Sequence, residues 1–158
     1  LKATPYSGIV FALAIPLIPL YAFAGVGRTL PVLVWLVPVG VLLGVTLNLA
    51  NSLPDIEEDA ATGTHTLAVV LGVKRSFFVC RFLIVAGALL MGILTAVRIV
   101  PARPLIIVPV LIFTGLSVGS MFLFFGPEKP VPARKVHFYV VTLTCIVLAG
   151  GWLIGVLI

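Results

Sequence analysis

Residues 48–63, NLANSLPDIEEDAATG, contain four of the chain's five acidic residues and lie between long apolar runs. Pro54 has no backbone N–H and clashes with the carbonyl four residues earlier, so a helix that enters this stretch should kink or stop near Asn51. Proline suits a first helical position, acidic side chains suit a helix N-terminus and Gly63 suits a helix end. The pattern therefore predicts a short acidic helix from Pro54 to about Thr62.

The composition around this stretch is that of a membrane protein. Of 158 residues, 61% are hydrophobic and 9% are charged, and the mean hydropathy is +1.31, far above that of soluble domains. A bilayer core needs about 20 apolar residues of helix, and runs of that length in lipid must be helical. We therefore expect an all-α, polytopic membrane helix bundle in one domain, residues 1–158, with an acidic loop at 52–75. The five predicted transmembrane helices cover residues 6–25, 30–51, 76–97, 105–126 and 136–158.

The basic residues indicate an orientation in the membrane. The net charge of +5 comes from Lys and Arg at helix ends, where they set topology, so it does not imply nucleic-acid binding. Seven of them fall on the side of the acidic loop: Lys2, Lys74, Arg75, Arg81, Lys129, Arg134 and Lys135. Three fall on the other side: Arg28, Arg98 and Arg103. The positive-inside rule predicts a cytoplasmic acidic loop and an external C-terminus.

Small residues within the apolar runs predict close helix packing. Three predicted spans carry glycines at i and i+4, a spacing that allows two helices to approach closely; the pairs are Gly40 and Gly44, Gly115 and Gly119, and Gly151 and Gly155. Cys80 and Cys145 lie in apolar runs without metal-ligand spacing, so we interpret them as small buried hydrophobic residues.

The carboxylates of the acidic stretch are candidate metal ligands. Asp55 and Asp59 are spaced i, i+4 and share a helix face, and Asn48 and Asn51 fall on the same stripe one and two turns earlier. Magnesium is typically held by one or two carboxylates together with substrate phosphates and water. A diphosphate bound in this way at a membrane face suggests an isoprenoid diphosphate with its tail between the helices. The alternative is an acidic loop that only caps a helix and solvates the surface.

Nearby cations are candidates for binding the diphosphate. Lys74, Arg75 and Arg81 could neutralise its charge, or they could snorkel to the headgroups. Asn48 should face the bundle interior, either at the ligand site or in an interhelical hydrogen bond. The remaining polar residues of these regions are expected to be solvated surface groups: Glu57, Glu58, His65, Glu128 and His137.

A longer string, residues 51–72, NSLPDIEEDAATGTHTLAVVLG, resembles the second aspartate-rich motif of the UbiA-type intramembrane prenyltransferases. In that motif an Asn precedes Asp-x-x-x-Asp, and Gly-x-x-Thr-Leu-x-x-x-Leu-Gly follows. The resemblance implies the C-terminal half of that fold, with Asp55 and Asp59 helping to bind Mg²⁺ and prenyl diphosphate and Asn51 beside them. It also implies transfer of a prenyl group to a lipophilic, aromatic acceptor such as a quinone precursor.

Two further expectations follow from what this sequence lacks. The other aspartate-rich motif of the family is absent, and the chain begins with Leu1 rather than Met, so we expect a partial chain that needs its missing half or a second chain for activity. The alternative to an enzyme is a non-catalytic membrane subunit or a transporter half with a cation-binding loop. A CDP-alcohol phosphotransferase is disfavoured, because its Asp-Gly-x-x-Ala-Arg string does not occur.

Overall fold

The protein is a bundle of apolar helices in a computed structural model that describes residues 6–27 and 31–158. Within these residues no strand occurs, which confirms the predicted all-α membrane bundle. A 3₁₀ helix, Pro31–Trp35, precedes α2, and a 3₁₀ turn, Leu53–Asp55, follows it. The α-helices are α1 (Ser7–Gly25), α2 (Leu36–Ser52), α3 (Ile56–Ala61), α4 (Leu67–Ala96), α5 (Pro104–Phe124) and α6 (Val131–Leu157).

The length and composition of the helices suit a bilayer. Four helical stretches are long and apolar enough to cross it, namely Val32–Ala61, Leu67–Ala96, Pro104–Phe124 and Val131–Leu157, and Ile9–Gly25 is a shorter apolar helix. Large apolar side chains such as Phe78, Phe82 and Leu116 lie exposed on their outer faces. Such faces are stable in lipid, so the chain is a multi-pass integral membrane protein. Its sidedness stays a prediction; two of the counted cations, Lys2 and Arg28, lie outside the described residues.

Helix α2 lies against three other long helices of the bundle. It packs against α1, α4 and α6, while α5 packs between α4 and α6. Fully buried side chains, among them Leu43, Phe77, Ile84 and Leu148, fill the space between these helices. Cys80 and Cys145 are buried and unbonded to each other, as the sequence predicted.

Two of the three glycine pairs lie where helices meet. A Cβ added at Gly40 would lie 2.7 Å from the Pro16 Cβ, and one added at Gly44 would lie 2.5 Å from the Phe11 carbonyl oxygen. The backbones of α1 and α2 therefore approach closely, as predicted. The α6 pair, Gly151 and Gly155, packs in the same way against α5 side chains. In contrast, an added Cβ at either glycine of the α5 pair would meet no atom of the described residues within 4 Å.

Helix α4 begins earlier than the predicted span. The Thr66 hydroxyl accepts a hydrogen bond from the Val69 N–H at 3.3 Å and caps the helix. Gly72, at φ +74°, then interrupts the helical conformation, and only glycine adopts this conformation without strain. The Ser76 hydroxyl spans this break with a 3.4 Å bond to the Ala68 carbonyl. Most of the predicted loop 52–75 is therefore helical. It differs from the spans in its charged side chains, which lie at residues 55–59 and 74–75.

Candidate functional site

The acidic stretch folds close to the way its proline and glycine predict. Helix α2 ends at Ser52, and the 3₁₀ turn that contains Pro54 leads into the six-residue helix α3. At the end of α3 the Thr62 N–H still donates to the Glu58 carbonyl at 3.1 Å. Gly63 then takes φ +71°, which stops the helix. We call Leu53–Ala61, the 3₁₀ turn with α3, the acidic segment.

Asp55 and Asp59 lie one helical turn apart in the acidic segment. Asp55 is exposed and Asp59 is partly buried. Among the described residues, neither carboxylate accepts a hydrogen bond or forms an ion pair, so both are free to bind a ligand. No group of three or more His, Cys, Asp or Glu side chains suited to a metal occurs in this part of the chain. Two free carboxylates nevertheless fit Mg²⁺, which takes its other ligands from phosphate and water.

The two asparagines lie at different depths. Asn51, at the end of α2, is exposed one turn before Asp55. Asn48 is only 5% exposed and lies inside the bundle, as predicted for a polar residue within a span. The structure thus brings Asn51 to the same open end as the aspartates and places Asn48 beneath it.

The cations near the start of α4 divide into two kinds. Lys74 and Arg75 are exposed, and the Lys74 Nζ lies 3.9 Å from the Glu128 Oε1, with both side chains at least 80% exposed. An exposed pair of this kind contributes little stability, so these cations stay free to meet an anion. Glu128, predicted to be a solvated loop charge, is exposed and lies next to Lys74.

Arg81 is committed to another helix. It is 8% exposed, and its Nη2 donates to the carbonyls of Met121 and Phe125, each at 2.7 Å. Its guanidinium carbon also lies 4.3 Å from the centre of the Phe122 ring. A cation at a helix C-terminus stabilises the unpaired carbonyls there. Arg81 therefore caps α5, a role the sequence analysis did not consider, and its contact with substrate stays a prediction.

An ion pair that the sequence analysis missed holds the acidic segment. The Arg134 Nη1 on α6 donates to the Glu57 Oε1 and Oε2 at 2.7 and 2.8 Å and lies 3.4 Å from the Leu53 carbonyl oxygen. The Arg134 side chain is 9% exposed and that of Glu57 is 59% exposed. Glu57 is thus open to water as expected, but it is not free, because it neutralises a buried cation.

His137 corrects a further expectation. It was predicted to lie at the surface, but it is fully buried, with ring centres of Phe77 and Phe125 at 4.6 and 5.5 Å. A signal for this was present in the sequence, because His137 and Arg134 continue the 3–4 residue spacing of the buried face of α6. Other members of that face are Val141, Thr144, Cys145, Leu148 and Trp152. His65 is exposed, as predicted.

The fold and the acidic segment together define a class of protein: a polytopic membrane bundle with free carboxylates at one end of its helices. The sequence model of the UbiA prenyltransferase family matches residues 1–143. The chain belongs to this family, as the aspartate-rich string predicted. Neither the curated proteins nor the solved structures gave a match. Family membership supports membrane prenyl transfer in general, and correspondence to the C-terminal half of the fold stays a prediction.

Proposed function

We propose that the chain takes part in Mg²⁺-dependent transfer of a prenyl group from prenyl diphosphate to a lipophilic, aromatic acceptor. The observation that carries this proposal is the pair Asp55 and Asp59, whose carboxylates have no partner in the described chain at the end of an apolar bundle. The family match supports the class of reaction. The acceptor rests on the family resemblance alone.

Asp55 and Asp59 would hold the metal ion, with Asn51 beside them as a further oxygen ligand or hydrogen-bond partner. Bound Mg²⁺ would neutralise the diphosphate and stabilise the charge that develops as it leaves. Lys74 and Arg75, exposed at the start of α4, would bind the phosphate oxygens. The carbon–oxygen bond to diphosphate breaks, a bond to the acceptor forms and the acceptor loses a proton.

The apolar faces of the bundle would protect the reaction from water. The allylic cation left by diphosphate reacts with any water present, so a tail enclosed between apolar helices favours transfer over hydrolysis. All five acidic residues of the chain are accounted for by the acidic segment and Glu128. A second metal ion would therefore need carboxylates from another polypeptide segment.

The transporter alternative loses support. Charged residues inside a membrane bundle mark ion or substrate paths when they face a cavity. Arg81 lies within a predicted span and lines an apolar cavity with Phe78, Phe82, Val85 and Phe122. Its guanidinium nevertheless donates to the carbonyls of α5 and packs on aromatic rings. No observation on the described residues favours a path through the bundle over a site at its end.

Release of diphosphate from a labelled prenyl diphosphate, measured in vesicles with and without Mg²⁺, tests the proposal. Asp55→Asn and Asp59→Asn, each in the complete enzyme with all helices of the fold supplied, should lower the rate by at least ~100-fold, because each removes charge stabilisation of the leaving group. Glu58→Gln is the matched control, since it removes an exposed carboxylate of the same segment. Equal losses in all three variants would indicate a diffuse acidic surface and would contradict the proposal.

A further inference from the structure

Arg134 connects the acidic segment to the rest of the bundle. Among the described residues, the three bonds from its Nη1 are the side-chain hydrogen bonds that join this segment to another helix. One bond reaches the 3₁₀ turn through the Leu53 carbonyl, and the other two reach α3 through Glu57. One nitrogen atom therefore fixes both parts of the segment relative to α6.

Besides this ion pair, helix α3 is held by its packing against α4. It has six residues, and its buried residue is Ile56. Isolated helices shorter than about 12 residues are marginal in water, so the orientation of α3 depends on how it is attached. Ile56 supplies an apolar attachment that resists detachment but restricts rotation weakly. The carboxylate of Glu57, held at both oxygens, adds the directional restraint.

The charge of Arg134 is in itself unfavourable for the proposed metal site. Glu57 is two residues from each of Asp55 and Asp59, so on a helix it projects from a different face. The guanidinium that it binds is therefore a further positive charge on the segment that would hold a divalent cation. Like charges repel, and from charge alone Arg134 should weaken cation binding. If Arg134 raises the affinity of the site for a cation, it must therefore do so by fixing the geometry of the ligands and not through its charge.

We propose that Arg134 is a positioning residue for the metal site, an inference that rests on the proposed function. By holding Glu57, it fixes α3 in the orientation in which Asp55 and Asp59 both face the same cation. Partners that orient metal ligands typically affect metal affinity by 10–100-fold, although they do not touch the metal.

Binding of Mn²⁺ to the enzyme with all helices of the fold supplied, measured as the loss of the free-Mn²⁺ signal in electron paramagnetic resonance, tests this role without an activity measurement. Arg134→Gln should weaken Mn²⁺ binding about tenfold, whereas the loss of a positive charge by itself would strengthen it. Lys135→Gln is the matched control, because it removes the same charge from the next residue, which is exposed. It should leave Mn²⁺ affinity unchanged or slightly raised.

Two more variants separate geometry from folding. Arg134→Lys keeps the charge on a shorter side chain, which is less able to reach Glu57 and the Leu53 carbonyl together. A positioning role therefore predicts a smaller loss of Mn²⁺ affinity than in Arg134→Gln, and a pure charge effect predicts none. Glu57→Gln combined with Arg134→Gln leaves the net charge unchanged and should match the loss of Arg134→Gln alone. Hydrogen exchange should show faster exchange in α3 and unchanged protection in α4 and α5 for each variant.

The outcomes distinguish this inference from the proposed function. If Asp55→Asn combined with Asp59→Asn leaves Mn²⁺ binding to the complete enzyme unchanged, the metal site itself is wrong and the positioning role is wrong with it. If the unaltered enzyme binds Mn²⁺ and Arg134→Gln binds it equally well or more tightly, the positioning role alone is overturned. Faster exchange throughout the bundle in Arg134→Lys would show that Arg134 serves the fold and not the site, which also overturns it.

Discussion

Two elements at the same end of the bundle are each held by one buried arginine, but the partners differ in kind. Arg81 holds the C-terminal end of α5 through the backbone carbonyls of Met121 and Phe125. Arg134 holds the acidic segment through the Glu57 carboxylate, which is more than half exposed. Both guanidinium groups carry a buried Nε without a hydrogen-bond partner, so neither is satisfied completely.

The difference indicates which arginine serves the fold and which serves the site. Loss of Arg81 would leave the Phe125 carbonyl without a donor among the described residues, while the Met121 carbonyl would keep its 3.3 Å bond from the Phe125 N–H. Water can reach Glu57 when Arg134 is lost, so the cost in stability is lower there. An anchor to an exposed carboxylate therefore contributes mainly orientation, while an anchor to buried carbonyls contributes mainly stability.

The largest expected effect is in thiol labelling, which reports the face of the membrane at which the acidic segment and the C-terminal end of α5 lie. The contact between Lys74 and Glu128 at 3.9 Å joins the start of α4 to the α5–α6 loop, which places both ends on one side. Cysteines introduced at Glu58 and Glu128 should therefore react with an impermeant thiol reagent from the same side, the cytoplasmic one. A cysteine at Arg28 should react only from outside. Reaction of the two glutamate positions from opposite sides would show that the acidic segment and the α5–α6 loop lie on different faces of the membrane.

The second effect is the stability lost with Arg81. Arg81→Met keeps much of the side-chain volume but removes the donor to two carbonyls, and hydrogen bonds from a charged group contribute about 1.5–3 kcal/mol each. We expect the free energy of unfolding in detergent to fall by about 3 kcal/mol. A denaturant titration monitored by the circular dichroism of the helices measures this change. An unchanged stability would show that water replaces Arg81 at the end of α5.

The smallest effect is the stability lost with Arg134. Arg134→Met should lower the free energy of unfolding by about 1 kcal/mol, because the exposed Glu57 is solvated once it is released. The same denaturant titration measures this loss. The ratio of the two losses in free energy of unfolding then shows how much more the fold depends on Arg81 than on Arg134. A loss as large as that of Arg81→Met would mean that the ion pair holds the fold, and it would weaken the case for a role in positioning.

Local features of the sequence were sufficient for much of the architecture. The apolar runs fix the membrane class because lipid leaves the backbone no other way to satisfy its hydrogen bonds. Pro54 and Gly63 act within a few residues of themselves, so the break after α2 and the end of α3 follow from them. The spacing of Asp55 and Asp59 is likewise local, and together with the flanking string it was enough to predict the family.

Sequence alone is therefore enough to predict an all-α membrane bundle, an acidic helix at one end of it and the family. The tertiary structure was needed to show how that helix is attached, since Arg134 and Glu57 are 77 residues apart and either could have been solvated. It also decided that Arg81 meets carbonyls 40 and 44 residues away, which carry no side-chain signal at all. Local chemistry acts through neighbours along the chain, whereas a buried charge takes whichever partner the packing of the helices brings within reach.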